Sequence, residues 1–200
     1  METLCATFEE WYLGDGTYPP LHKGQKVNLS FCINSAEKSI VRDENYRFEQ
    51  IKHSDYKFCG KVIRHYSDPH KQIMIIDAGE FKFYIEEHNT GFKPSVGQFI
   101  SGRGMLLLDY YIWVENIREY ADPPNIFYNF EVDGILRVTI PERFIHRRES
   151  GFATPASLST NDYTDNEVQE IEDMSNDHSS TEFYLLNLKF IKEDIPQTFI

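Results

Sequence analysis

The sequence has no long hydrophobic run, since apolar clusters such as Ile73–Ile76 and Met105–Leu108 are four residues each. A membrane-spanning helix needs about 20 mostly apolar residues, so no membrane span is predicted. The N-terminus also lacks the basic start and apolar stretch of a secretory signal, because Glu9 and Glu10 lie where that stretch would be. These absences predict a cytoplasmic protein with no membrane partner.

Cysteine and catalytic motifs are also scarce. Cys5, Cys32 and Cys59 are an odd number of cysteines with no CxxC pair, so they match neither a disulfide framework nor a zinc site. No GxSxG, HExxH, P-loop or GxGxxG pattern occurs, and Gly102-Arg-Gly104 lacks both the third glycine and a following helix. We expect reduced, mostly buried thiols, no metal, no cofactor and no catalysis; an enzyme of unknown type is the third alternative.

Positive charge is missing from one part of the chain. The 200 residues carry 32 acids and 20 Lys or Arg, a formal net charge of −12. Residues 149–182 hold nine of the acids and no Lys or Arg, which leaves 23 acids against 20 bases, a net −3, elsewhere. The acidity is therefore local, and we predict that these residues, the acidic segment, attract a basic partner and repel phosphate.

The acidic segment is also rich in Ser, Thr and Asn and poor in apolar residues. Such a composition buries too little surface to offset the entropy of ordering, which predicts a mobile excursion. Within it, Thr164-Asp-Asn-Glu167 has capping-box spacing and Val168, Ile171 and Met174 follow at intervals of three, which predicts one short helix. The acids expected to face a partner are Asp162, Asp165, Glu167, Glu170, Glu172 and Asp173.

Alternating apolar and polar residues dominate the rest of the chain. A period of two is typical of a strand with one buried face, and its recurrence predicts about nine to eleven strands. The clearest rows are Val27–Ile33, Tyr56–Val62, Phe81–Ile85, Ile126–Val132, Leu136–Ile140 and Tyr184–Phe190. Helix signals are few, so the sequence predicts an all-β fold. It is either a small barrel or a β-sandwich, extended by N-terminal strands and by a last strand that joins the sheet late.

Glycines mark the expected turns and bends. Asp133-Gly134 lies between two apolar runs and predicts a hairpin with a type I′ turn. Asp77–Glu80 predicts a second hairpin. Gly102 and Gly104 interrupt an apolar strand, which is typical of a bulge or a bend at a barrel corner.

Three weak signals run together through residues 56–117: a strand with Gly-x-Val, a strand that ends in Asp, and a later strand that begins x-Gly-x-x-apolar-x-Gly. The segments concerned are Phe58–Val62, Ile73–Asp77, Phe81–Ile85, Val96–Gly104 and Tyr110–Val114. Their order resembles the oligonucleotide/oligosaccharide-binding (OB) fold, a five-stranded barrel. No helix is evident between the third and fourth segments, so a β-sandwich stays open as the alternative.

The resemblance implies that a ligand lies across the second and third strands of the barrel and the adjoining loops. The exposed candidates are Lys61, Lys82, Tyr84, Arg103 and Tyr111, with Trp113 close in sequence. Alternatively, Tyr84 and Tyr111 are half-buried aromatics of the sheet. Proteins that bind single-stranded nucleic acid combine stacking aromatics with a positive groove, and a nearly neutral body lacks that charge.

Two further features suggest surfaces for a partner. Arg143, Arg147 and Arg148 form a cationic spot directly before the acidic segment, where they meet either a phosphate, an acidic partner or the acids of the protein itself. Trp11-Tyr12 and Tyr110–Trp113 place aromatic side chains on both faces of their segments, which is typical either of a protein interface or of a core with two sheets.

The sequence therefore predicts a binding module without catalysis. Its body comprises residues 1–148 and 183–200, with the OB-like part at 56–117, and the acidic segment is a separate mobile element. The leading hypothesis is protein–protein interaction, in a specialised form an immunity or inhibitor protein directed against a basic partner. The alternative is an OB-like barrel that binds an oligonucleotide or oligosaccharide. The oligomeric state is not predicted.

Overall fold

The computed structural model describes residues 2–14, 16, 18–67, 72–87, 91–109, 117, 122–139, 168–175 and 182–193. In chain order its elements are β1 (Thr3–Glu9), α1 (Trp11–Gly14), β2 (Lys26–Leu29), β3 (Phe31–Val41), β4 (Arg47–Lys52), β5 (Asp55–Ser67), β6 (Gln72–Asp77), β7 (Lys82–Glu87), β8 (Phe99–Leu108), β9 (Tyr128–Thr139), β10 (Val168–Ile171) and β11 (Glu182–Phe190). The described residues contain eleven strands and one short helix, which confirms the all-β prediction.

The chain divides into two compact units. The first, the barrel unit, is Ser30–Phe127, and the second, the terminal unit, comprises Met1–Leu29 and Tyr128–Ile200. The boundary after Leu29 falls within the apolar row Val27–Ile33, where Ser30 alone separates the end of β2 from the start of β3. Alternation continues across this junction, so the sequence pattern gives no sign of the division.

Five strands of the barrel unit form a closed ring. β5 pairs antiparallel with both β6 and β8, and β6 pairs antiparallel with β7. β3 closes the ring, because it pairs antiparallel with β8 and parallel with β7, where Cys32 lies opposite Tyr84. The small barrel predicted from the sequence is therefore confirmed.

The ring has the strand order of an OB-like barrel, but its fifth strand comes from an earlier part of the chain. β5, β6, β7 and β8 occupy the first four positions, and the long strand β5 pairs with β8 over Asp55–Lys61 and with β6 over Lys61–Ser67. The resemblance places the fifth strand at Tyr110–Val114, which lies outside the described residues. In the structure β3 fills that position.

A close approach between β3 and β8 explains the glycines of β8. A Cβ atom on Gly104 would lie 2.8 Å from Cγ2 of Ile33 and closer still to the carbonyl oxygen of Asn34. The register between the two strands shifts between Asn34 and Glu37, so β3 has an extra residue opposite Gly104. The sequence predicts a bulge or a bend in the strand that holds Gly102 and Gly104; the structure has a bulge opposite Gly104, but the extra residue belongs to the neighbouring strand β3.

Aromatic side chains fill the interior of the barrel. Phe58, Phe81 and Phe83 are buried, and the ring centroids of Phe58 and Phe83 are 5.2 Å apart. Phe48 of β4 packs onto them, 4.8 Å from Phe81 and 4.6 Å from Tyr56. Tilted and edge-to-face ring pairs stabilise a fold by about 0.5–1.5 kcal/mol each beyond the area they bury. β4, which pairs with β5, is thus held by packing as well as by its backbone.

The hairpin predicted at Asp77–Glu80 is confirmed. β6 and β7 pair antiparallel on either side of it, and the Ala78 N–H donates a hydrogen bond to the Phe81 carbonyl at 2.9 Å. Gly79 has a φ of +95°, and its N–H donates to Oδ1 of Asp77 at 2.9 Å. Only glycine adopts this backbone conformation without strain.

The terminal unit is an antiparallel sheet arranged around β9. β11 lies between β9 and β1, while β2 pairs with the first part of β9 and β10 with its last part. The late-joining last strand is therefore confirmed as β11. One cluster of its core contains Cys5, Val138, Phe183 and Leu185, against which Val168 of β10 packs.

The hairpin predicted at Asp133-Gly134 is wrong. β9 continues through both residues, and neither has a positive φ. Val132 lies opposite Leu188 and Gly134 lies opposite Asn187, so Asp133 is one extra residue in the ladder with β11. The dipeptide therefore marks a bulge in β9. Before the bulge β9 pairs with β2, and after it β9 pairs with β10.

The helix predicted after Thr164 is wrong for residues 168–175, which the structure describes. Val168–Ile171 form β10, and Met174 is buried with its N–H donating to the Leu21 carbonyl at 3.0 Å. Pairing with β9 and burial of Met174 outweigh the local capping signal, because tertiary packing overrides helix propensity. Residues 149–167 and 176–181 lie outside the described residues, and mobility there stays a prediction.

Candidate functional site

The chain itself covers the outer face of β6 and β7, where the OB resemblance implies a ligand. The alternation of strand side chains directs one set inward and the other outward. The outward set belongs to a buried cluster that contains Ile73, Ile75, Tyr84, Ile117, Ile126 and Phe127. Ile117 and Ile126 are fully buried in it, although they lie after β8 in the chain. A ligand across these strands would have to displace this apolar cover.

Tyr84 is 1% exposed, so the expectation that it is exposed is wrong. Its hydroxyl donates a hydrogen bond to Oδ1 of Asp109 at 2.8 Å, and the Ser30 hydroxyl donates to Oδ2 of the same carboxylate at 3.0 Å. Burial and the negative charge of Asp109 raise the pKa of Tyr84 well above its ordinary value. Because all three side chains are closed off from solvent, they form a structural network.

Two of the basic candidates meet on one rung of the barrel. Lys61 of β5 and Lys82 of β7 both lie opposite Asp77 of β6 and are half-buried. Asp77 thus lies between the two lysines in the strand register. The site is smaller and less positive than the groove that a polyanion needs.

Arg103 lies on a different face, in an open cavity of about 720 Å³ between β3, β5 and β8. In one cross-strand row of its lining, Arg103 lies between Lys57 of β5 and Glu37 of β3. The Nε of Arg103 donates to both carboxylate oxygens of Asp55, at 3.0 and 3.1 Å, and hydrogen bonding to Asp55 raises the pKa of Arg103. The cavity lining has four basic residues and one acid, and three of the basic residues, Arg103, Lys38 and Arg47, form ion pairs with Asp55, Glu87 and Glu49.

Glu170 of the acidic segment lies on β10, and Glu172 and Asp173 directly follow this strand. The side chains of Glu170 and Glu172 are 62% and 77% exposed, and the Nζ of Lys23 lies 3.3 and 3.7 Å from their carboxylates. Asp173 accepts a hydrogen bond from the Ser175 N–H at 2.7 Å, and hydrogen bonds from Ser175 lower the pKa of Asp173. Self-pairing of these acids thus involves Lys23, a residue that sequence reasoning missed.

Several sequence-predicted residues lie outside the described residues, so their roles stay predictions. They are Tyr111, Trp113, Arg143, Arg147, Arg148, Asp162, Asp165 and Glu167.

A second arrangement occurs where β1 meets α1 in the terminal unit. The Nε1–H of Trp11 donates a hydrogen bond to Oε2 of Glu9 at 2.5 Å. Burial raises the pKa of Glu9, although hydrogen bonds from Trp11 and Tyr12 act in the opposite direction. Trp11 is 38% exposed, whereas Tyr12 is buried. The aromatic pair is visible in the sequence, but the carboxylate that joins it is not, because the contact depends on the turn at Glu10.

No family model, curated protein or solved structure matches this chain. In the described part of the chain no three His, Cys, Asp or Glu residues are grouped as metal ligands, and no helix there is long and apolar enough to cross a membrane. The three cysteines are free thiols, and Cys5 and Cys59 are buried. The features that bear on function are therefore the exposed acids and the buried cluster that covers the outer face of β6 and β7.

Proposed function

We propose that this protein is a non-catalytic binding module whose partner is a protein, and that the acidic segment is part of the contact surface. The observation that carries the proposal is the buried cluster around Tyr84, Ile126 and Phe127. It covers the face on which an OB-like barrel would hold an oligonucleotide or an oligosaccharide. The alternative, a nucleic-acid- or sugar-binding barrel, would need this cover to move.

Charge supports a protein partner over a nucleic acid. Affinity for nucleic acid depends on cations that replace counterions along the phosphate backbone. The chain has a formal net charge of −12, and in the cavity between β3, β5 and β8 Arg103 is paired with Asp55. The whole protein lacks the required excess of positive charge, and three of the four basic residues that line this cavity are already paired with carboxylates.

The edge strand β10 supports a basic partner. Glu170 of β10 and the neighbouring Glu172 are exposed, and among the described residues Lys23 pairs with both, so this edge keeps an excess of negative charge. An edge strand also offers backbone groups to a strand of another protein. Lys and Arg side chains of such a partner would meet carboxylates along the acidic segment. A basic toxin or nuclease, blocked by an immunity-type inhibitor, is the specialised form of this proposal.

Affinity capture tests the proposal directly. The immobilised full chain is incubated with nuclease-treated lysate of its source organism, beside a variant in which five acids of the acidic segment become amides. The changes are Asp162→Asn, Asp165→Asn, Glu167→Gln, Glu170→Gln and Glu172→Gln. We expect the unmodified chain to retain a basic protein at least about 10-fold better than the variant, because long-range attraction between opposite charges is lost. The difference should shrink in high salt.

The control removes the same charge from exposed acids of the barrel unit. Its changes are Glu37→Gln, Asp43→Asn, Glu44→Gln, Glu49→Gln and Glu80→Gln, all at exposed positions. We expect this control to retain the partner within about 2-fold, and thermal melting to show that both variants fold. Equal loss in both variants would mean that net charge alone attracts the partner. Retention unchanged in the first variant would contradict a role for the acidic segment.

A further inference from the structure

The junction of β1 and α1 holds an exposed indole against a half-buried carboxylate. Trp11 is 38% exposed, and its Nε1–H donates to Oε2 of Glu9 at 2.5 Å. This hydrogen bond holds the indole of a partly exposed residue next to a negative charge. The combination of an aromatic face and an adjacent carboxylate is typical of sites that bind organic cations.

The aromatic residues behind Trp11 are firmly packed. The ring centroids of Trp11 and Tyr12 are 4.6 Å apart in an edge-to-face arrangement. Tyr12 in turn packs on Phe8 at 5.3 Å and on Tyr18 at 6.0 Å, and the Tyr18 N–H donates to the Tyr12 carbonyl at 3.1 Å. Phe8 and Tyr12 are buried. Trp11 is therefore supported by a rigid layer, and binding a ligand there requires little further ordering.

The surrounding sequence is free of competing positive charge. Residues 1–22 contain Glu2, Glu9, Glu10 and Asp15 but no Lys or Arg. Burial also raises the pKa of Glu9, which means that the folded protein holds this carboxylate charge at a cost in stability. A partner cation would offset that cost.

We propose that Trp11 and Glu9 form a binding spot for one Lys or Arg side chain of the partner. The guanidinium or ammonium group lies on the exposed indole face and directs an N–H to the Glu9 carboxylate. This inference rests on the proposed function, since it names one contact of the basic partner. It adds a surface in the terminal unit other than the acidic segment.

The first test uses a small probe, so that it does not depend on finding the partner. N-acetyl-arginine-N-methylamide is titrated into the ¹⁵N-labelled full chain, and N-acetyl-citrulline-N-methylamide, which has the same shape without the charge, serves as the control. The chain has two tryptophans, and the spectrum of a Trp11→Phe variant identifies the indole signal of Trp11. We expect a saturable shift of this signal with arginine, with a dissociation constant of about 10 mM or tighter, and none with citrulline.

The second test separates binding from structure. Glu9→Gln keeps a hydrogen-bond acceptor for Trp11 and removes the charge, so we expect the arginine affinity to fall at least about 10-fold while the melting temperature stays equal or rises. Glu49→Gln, an exposed acid of β4, is the matched control and should leave the arginine shift unchanged. An equal response to citrulline, or an arginine shift that survives in Glu9→Gln, would overturn the proposal.

Failure of this inference and failure of the proposed function give different results. If Glu9→Gln retains the captured basic partner within about 2-fold, the spot is not a contact and the acidic segment alone accounts for binding. If the arginine probe binds but no basic protein is captured through the acidic segment, the spot stands and the proposed partner class is wrong.

Discussion

The hydroxyl of Tyr84 donates a hydrogen bond to Oδ1 of Asp109 at 2.8 Å, and neither side chain is more than 3% exposed. The pair joins β7 to the residue that follows β8, directly beneath the apolar cover of the barrel. A tyrosine that would stack on a ligand in an open OB-like barrel is here bonded to a buried carboxylate. The hydrogen bond therefore contributes to the stability of the closed face.

Replacing Tyr84 by Phe should destabilise the protein by about 1.5–3 kcal/mol, because the buried carboxylate of Asp109 loses a hydroxyl donor. Equilibrium urea unfolding at neutral pH measures the change. The matched control is Tyr46→Phe, which removes the hydroxyl of a tyrosine that is 51% exposed and should change stability by less than about 0.5 kcal/mol. Equal effects at both positions would show that the bond to Asp109 contributes little.

The free energy of unfolding at alkaline pH should also depend on Tyr84. The pKa of Tyr84 is raised well above its ordinary value, so between that value and the folded pKa only the unfolded state ionises. Its contribution to stability is complete below about pH 10 and is lost as the pH rises beyond it, by up to about 1.4 kcal/mol per pH unit. The free energy of unfolding should thus fall less steeply above about pH 10 in Tyr84→Phe than in the unmodified protein. Parallel pH profiles would contradict the assignment.

Gly104→Ala should destabilise the barrel by at least about 2 kcal/mol, because the new Cβ would overlap backbone atoms of β3 that have nowhere to move. Gly134→Ala is the control: its nearest contact would be Nδ2 of Asn187 at 3.4 Å, the end of a side chain. Thermal unfolding should show a large loss for the first variant and a change within about 0.5 kcal/mol for the second. Tolerance of alanine at position 104 would mean that β3 and β8 are less closely packed than described.

Lys38 and Glu87 form an ion pair between β3 and β7 whose side chains are 12% and 3% exposed. Lys38→Met should destabilise the protein by about 3–5 kcal/mol, because it leaves a buried carboxylate without its cation. Adding Glu87→Leu should restore most of that loss, since an apolar pair of similar volume often replaces a buried ion pair. Lys57→Met, at an exposed position of β5, is the control. A double variant less stable than Lys38→Met would show that Glu87 contributes beyond the pair.

The strands of this fold could be predicted from the sequence, but their partners could not. The alternation in Tyr56–Val62 and Tyr184–Phe190 fixes a buried face, and that is a local property of the chain. The closing of the barrel by β3 depends on pairing with β7 and β8, about 50 and 70 residues away, and no local pattern encodes it. Asp133-Gly134 has the composition of a tight turn, yet continuous pairing with β11 makes it a bulge.

The candidate site was predictable to a similar extent. Exposed acids such as Glu170 follow from composition, and the aromatic pair Trp11-Tyr12 is visible directly. The burial of Tyr84 could not be predicted from the sequence. Apolar residues such as Ile117 and Ile126 occur in the core of a sheet as well as in a segment that covers its outer face. The contact of Glu9 with Trp11 depends on a turn that periodicity does not describe.

The central claim is that the covered face of the barrel leaves this protein to bind a protein partner instead of nucleic acid. Fluorescence anisotropy of labelled thymidine and uridine homopolymers of about 30 nucleotides, titrated with the full chain at about 150 mM salt, tests it most directly. We expect the full chain to show no saturable binding of either homopolymer tighter than about 10 μM. Saturable submicromolar binding of either strand would contradict it and establish the barrel as an oligonucleotide-binding one.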